Sequence, residues 1–333
     1  MDATVDPERP AILGHMNLDF FVKAFRALDW DVTLVEWMPG AEDERTITRR
    51  REIIERTRPD VVFWPESARW GPGREPGIKV IFYCNDAHFF NSAGWWKHHA
   101  DLFIVRHARG VARIREQIGD PQARVFVLPF SVDPELVADH EWSSRRRAVG
   151  FSGAADEYLY PGRVAAAAAL ERSQLLDDHR TRWHDITLDE YHQHTGEEQL
   201  RLINHHRKPG GIVRYRQYGH PDPREYFDFL AAHQICLTSC STQRLVLAKD
   251  YEIAACGSVP LTDERSPISA VLPQGTWLTY PAGTAAGVAQ IVIKALRDQD
   301  ELRRMGERAR QHVLMHHTDA DRIEHLSEIL EHL

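Results

Sequence analysis

The sequence predicts a two-domain α/β protein built on parallel sheets. Three observations lead there. Its 333 residues exceed what one ordinary core accommodates. Short apolar runs alternate with amphipathic helical stretches through most of the chain. A polar, basic break, which includes His140 to Arg147, separates two such series.

The first series opens with a short apolar strand at Ala11 to Leu13, then Gly14-His15-Met16-Asn17 and a helix over Phe20 to Leu28. The strand DVTLVE (Asp31 to Glu36), helix Thr48 to Arg58 and strand Asp60 to Trp64 continue the alternation. Strand Lys79 to Tyr83 runs into Cys84-Asn85-Asp86-Ala87-His88, and Trp95-Trp96-Lys97-His98-His99 follows. Strand Asp101 to Val105, helix Gly110 to Ile118 and strand Arg124 to Leu128 complete residues 1–135 as a Rossmann-like domain. In such sheets ligands gather at the loops after the strands, so His15, Asp86 and His88 fall on the expected functional edge, although each also suits a polar turn. Trp95 and Trp96 suit interdomain packing, or stacking on an acceptor.

The second series opens with AVGFSGA (Ala148 to Ala154), a strand entering a small-residue loop, and Tyr160-Pro161-Gly162-Arg163 starts an Ala-rich helix. Small residues before a helix N-terminus let backbone amides approach an anion; Arg163 is a phosphate contact or a solvated cation. Residues 172–215 are polar, rich in His and Arg, and give no clear element, so their histidines read as surface residues. From Pro223 the alternation returns: helix Arg224 to Ala232, strand Ile235 to Thr238, helix Ala248 to Ala255, strand Ser258 to Thr262 and strand Thr276 to Tyr280. Helices over Gly283 to Asp298, Asp300 to Gln311 and Asp319 to Leu333 close the chain.

Composition narrows the function classes. A formal net charge of -8 argues against broad electrostatic binding to nucleic acid or anionic membrane. No apolar run approaches the roughly 20 residues that span a bilayer. The N-terminal MDATVDPERPAIL lacks the apolar core of a signal peptide, so a cytoplasmic location is expected. Four cysteines, Cys84, Cys236, Cys240 and Cys256, form no CxxC pair and suit buried thiols. The histidines show no metal-ligand spacing, and no metal is expected. Asp29-Trp30-Asp31 has the spelling of a metal-binding DxD, but it sits between a helix end and a strand start.

One stretch combines helix and chemistry. In Ala248 to Ala255, Lys249 and Glu252 stand three residues apart and share a face. On spacing alone they read as an exposed ion pair, of little energetic consequence. The alternative is a nucleotide diphosphate site, with the cation on phosphate and the carboxylate accepting from ribose hydroxyls.

EIAACGSVPLTDE, with VGFSGA, YPGR and REYFDFLAAHQICLTSCS, resembles the donor domain of GT-B glycosyltransferases, closest to the CgeB-like (spore maturation protein) branch. KVIFYCNDAHFF, ADLFIVRH and ARVFVLPFSVDPE resemble that branch's first domain, and DELRRMGERARQHVLMHHTDADRIEHL its closing helices. The resemblance implies a GT-B fold, two Rossmann-like domains facing across a cleft. Residues 1–135 would bind the acceptor, 136–147 link, 148–310 bind the nucleotide-sugar donor and 311–333 form closing helices. It matches Glu252 to the carboxylate on the donor ribose, Lys249 to a basic position near the phosphates, and Ser152 and Gly153 to the glycine-rich loop. Arg244 stands where many retaining enzymes have a second Glu. An arginine there suits diphosphate, and its presence departs from the retaining pattern.

The implied reaction is transfer of a hexose-like sugar from a nucleoside-diphosphate sugar to a hydroxyl, with no cofactor and no bound metal. Lys249, Arg244 and Arg163 would stabilise the leaving diphosphate. In an inverting mechanism Asp86, and after it His15 or His88, would take the acceptor proton. The acceptor is left open among a small molecule, a glycan, a protein and a modified phage DNA base. A nucleotide-sugar epimerase of the same fold and a non-catalytic nucleotide-binding module are the rival readings.

Overall fold

The structure is a computed structural model that describes residues 16–33, 44–65, 77–84, 99–154, 159–181, 183–187, 202–208, 212–217, 223–282 and 285–333. Two compact units divide the chain, one of Met1–Pro129 with Arg322–Leu333, the other of Phe130–Asp321.

In the first unit α1 (Met16–Ala27) and α2 (Glu44–Thr57) precede β1 (Val61–Pro65) and β2 (Lys79–Cys84). Then come β3 (Leu102–Val105), α3 (Ala108–Ile118) and β4 (Val125–Val127). The four strands form a parallel sheet in the order β1-β2-β3-β4. KVIFYC of β2 is apolar almost throughout because both faces of its sheet are covered. Ile81 and Tyr83 pack with Phe20, Phe21 and Phe25 of α1, whereas Phe82 and Cys84 pack with Ile114 of α3. The α1 face is completed by Leu326 and Ile329 of the last helix, α9 (Asp319–Leu330). Trp30, within the DxD spelling, stacks on Phe25 just beyond the end of α1.

The second unit is also a covered parallel sheet, with strands β5 (Arg146–Ala154), β6 (Leu176–Thr181), β10 (His233–Leu237), β11 (Val259–Asp263) and β12 (Leu278–Tyr280). Their order is β12-β11-β10-β5-β6. Crossovers are made by α4 (Pro161–Arg172), α5 (Pro223–Ala231) and α6 (Ala248–Ala255), and α7 (Val288–Arg297) and α8 (Gln299–His316) follow β12. Ile235 and Leu237 of β10 face a core with α4 and α7, while Cys236 between them joins α5, α6 and α8. All four cysteines are buried and free, as their apolar settings predict.

Residues 172–215 depart from the sequence reading. They supply β6, which is an edge strand of the main sheet. Beyond it, β7 (Trp183–Thr187), β8 (Leu202–Lys208) and β9 (Ile212–Gln217) form an antiparallel sheet in the order β7-β9-β8. An edge strand requires no continuous apolar run, so LDDHRT carries little strand signal. Among the described residues, no helix is long and apolar enough to cross a membrane.

Candidate functional site

The carboxyl ends of β5 and β10, with the helices that follow them, bring most of the expected donor residues together. The site helix α6 begins and ends where its sequence dictates. Asp250, fully buried, accepts from the backbone N–H of Leu247 at 2.9 Å, which fixes the first turn. Its other oxygen accepts from the Thr238 hydroxyl at 2.9 Å, tying the helix start to the end of β10. At the far end Gly257 adopts φ +71°, donating to Ala254 O, and Ser258 N donates to Ile253 O. This is a Schellman stop, and it requires the left-handed residue that glycine supplies.

Along α6, Lys249 is half-buried and Glu252 is buried, 8% exposed. The two side chains do not pair directly. The Tyr226 hydroxyl of α5 lies between them, accepting from Lys249 Nζ at 2.6 Å and donating to Glu252 Oε2 at 2.6 Å. Lys249 Nζ also stands 4.6 Å from the centre of the Tyr226 ring, within cation–π range. Oε1 of Glu252 has no partner among the described residues.

The remaining donor residues converge on Gly153, at the end of β5. Its φ of +133° is one that side chains rarely tolerate. A β-carbon there would lie 3.3 Å from Lys249 Cε, 3.7 Å from Lys249 Nζ and 3.8 Å from Arg163 Nη1. The bare glycine therefore leaves open a spot that two cations share. Arg163, at the start of α4, is buried and holds its guanidinium 4.0 Å from the centre of the Tyr160 ring. Ser152, the preceding residue, is buried too.

Electrostatics reflects this crowding. Burial pushes the Lys249 ammonium down to about 8, Arg163 reinforces the shift, and Glu252 opposes it. Burial lifts the Tyr226 hydroxyl far above the usual phenol range, and Glu252 lifts it further, so Tyr226 keeps its proton. Burial raises Asp250 to about 6, against the hydrogen bonds from Leu247 and Thr238.

Arg244 is exposed in the turn between β10 and α6, at φ +55°, its backbone N–H bonded to Ser241 O. Its side chain makes no hydrogen bond or ion pair with Lys249, Glu252 or Arg163. The acceptor-side candidates His15, Asp86 and His88, like Trp95 and Trp96, lie outside the described residues. Sequence reasoning missed Tyr226, which reads only as an apolar position on an amphipathic helix. It also missed the knot beside the start of α4, where buried Asp263 accepts from the backbone N–H groups of Cys240 and Arg265. A β-carbon on Gly162 would be 3.7 Å from Asp263 Oδ2 and 4.0 Å from the Tyr280 hydroxyl.

Residues 191–328 match the family model described as glycosyl transferase-like. No curated protein sequence matches the chain. Solved structures resemble it at low identity. HepE from Anabaena, in complex with UDP-glucose, is 12% identical with a TM-score of 0.59, over 94% of this chain and 89% of that one. Sucrose-phosphate synthase from Thermosynechococcus elongatus is 12% identical with a TM-score of 0.56, over 98% and 86%. A glycosyltransferase from Rickettsia africae is 12% identical with a TM-score of 0.53, over 93% and 87%. The likeness extends over nearly the whole chain, and it is one of architecture: the protein has the α/β fold of GT-B glycosyltransferase structures.

Proposed function

We propose that this protein is a glycosyltransferase of the CgeB-like branch that moves a hexose-like sugar from a nucleoside-diphosphate sugar to an acceptor hydroxyl. The observation that carries the reading is the convergence of Lys249 and Arg163 on bare Gly153, with Glu252 on the same helix as Lys249 keeping an oxygen that has no partner among the described residues. Two cations over an open glycine suit a diphosphate, and a free carboxylate oxygen suits a ribose diol. The glycosyl transferase-like match, which includes Lys249 and Glu252, supports the assignment.

In this reading the bond between the sugar and the β-phosphate breaks as the acceptor oxygen bonds to the anomeric carbon. Negative charge grows on the departing diphosphate, where Lys249 and Arg163 stabilise it in a partly desolvated setting. Two fixed positive charges supply what a metal ion supplies elsewhere, so the reaction is proposed to need neither metal nor cofactor. Ser152 and Gly153 shape the floor beneath the diphosphate. Arg244 joins it from the exposed turn. Asp86, with His15 and His88 as next candidates, is the proposed base, since in sequence Asp86 follows the last residue of β2 by two and ligands of parallel sheets gather after strand ends. The protein is proposed to act in the cytoplasm.

A thermal-shift titration with UDP and UDP-glucose, chosen because HepE binds UDP-glucose, tests the donor site. Wild type is expected to melt higher with either nucleotide, and Glu252→Ala and Glu252→Gln to lose most of that shift. A wild type indifferent to every nucleoside-diphosphate sugar would sink the proposal.

A further inference from the structure

We propose that Tyr226 is the positioning residue of this site: its hydroxyl keeps Lys249 and Glu252 from neutralising each other and leaves both available to a ligand. The inference rests on the donor-site reading for its ligand, but its geometry stands in the unliganded protein. Residues three apart on one helix face ordinarily pair when oppositely charged. Here the phenol intervenes, 2.6 Å from each group.

The direction of the chain is fixed by its hydrogens. An ammonium only donates, a carboxylate only accepts, and the phenol has one proton to give. Lys249 therefore donates to Tyr226 and Tyr226 donates to Glu252. Each end keeps capacity in reserve, because the ammonium retains two further N–H groups and the carboxylate retains Oε1. A direct ion pair would engage the groups that phosphate and ribose require. The Tyr226 ring is buried in the packing of α5, so the hydroxyl is held from a rigid element.

The charged and titratable groups around Lys249 come from four directions: Glu252 and Asp250 on its own helix, Arg163 from α4, Cys236 from β10 and Tyr226 from α5. Without the hydroxyl, Lys249 and Glu252 close into a direct pair. The ammonium then gains a carboxylate contact, and its titration midpoint rises from about 8.

The test uses Tyr226→Phe, which keeps the ring, with the melting temperature as a check on the fold. Lysine NMR follows the Lys249 midpoint in the unliganded protein. Calorimetry measures affinity for UDP and for the analogue lacking both ribose hydroxyls, across the Lys249 transition. The expected result is an upward move of the midpoint, UDP affinity about five- to tenfold weaker, and a reduced preference for the intact ribose. An unchanged midpoint and unchanged ribose preference in a folded Tyr226→Phe would overturn the proposal. If wild type binds no nucleotide while the midpoint still rises in the variant, the role of Tyr226 stands and the donor reading falls.

Discussion

Gly306 of α8 and Gly257, the left-handed stop of α6, are in backbone contact. A β-carbon on Gly306 would lie 2.3 Å from the Gly257 carbonyl oxygen and 3.5 Å from Trp142 Cζ3. Neither the carbonyl nor its turn can yield cheaply, since that turn closes the site helix. Gly306→Ala should therefore cost about 2–4 kcal/mol by chemical denaturation and weaken UDP binding as well. Ala at Gly275, where the far end of Arg308 is the near neighbour and the cost is that of a left-handed φ of +77°, should cost less than at Gly306.

Lys249 should cost the fold stability at neutral pH. Its folded value of about 8 lies below its ordinary value of 10.5, so between those values the unfolded chain binds more protons and stability rises with pH. Below about 8 the full cost is present. Lys249→Met should stabilise the protein at pH 7, on the order of 1–3 kcal/mol, and flatten that rise while abolishing diphosphate affinity. Melting curves across the window, with and without UDP, check both.

At the opposite end of the second sheet, fully buried His233 bonds Phe229 O through Nδ1 at 2.8 Å and Asp177 through Nε2 at 3.0 Å. Burial pushes the Asp177 carboxyl up, but hydrogen bonds from His233 and Arg146 outweigh it and hold the group below the usual range. A depressed carboxylate stabilises above its unfolded value and loses that contribution as pH falls through the folded one. Asp177→Asn should therefore flatten the acid limb of a stability profile. A β-carbon on Gly150 would stand 2.7 Å from His233 Cγ, so Gly150→Ala should destabilise by about 2 kcal/mol or more.

Arg244 adopts φ +55° in an exposed turn, where an ordinary L residue is strained by about 1 kcal/mol. Arg244→Gly should raise the melting temperature slightly. If the side chain reaches a bound diphosphate, the same variant weakens UDP several-fold; a melting curve reads the first effect and titration calorimetry the second.

Much of this was legible in the sequence because the parallel sheets are covered on both faces. KVIFYC and the ICL of HQICL then read as short apolar runs, and the end of α6 at Ala255 follows from its Gly257 stop. Lys249 and Glu252 are legible from their shared helix face, Arg163 from its place at a helix start after a strand, and Gly153 through the resemblance to the GT-B donor domain. What the sequence hid was relational. Tyr226 carries the spacing of a core residue, and only the approach of α5 to α6 reveals that its hydroxyl separates two charges. β6 was hidden because an edge strand can be as polar as LDDHRT, and β7, β8 and β9 because short antiparallel strands rich in His and Arg lack a two-residue apolar alternation.

Leu326 and Ile329 complete the core of the first unit, although nearly two hundred residues of the second separate them from β4. During synthesis the aromatic face of α1 stays open until α9 emerges, after the whole second unit has been translated. Phe20, Phe21 and Phe25 therefore stay uncovered through the synthesis of the entire second unit, and a chain cut short before α9 leaves the first unit with an open apolar face.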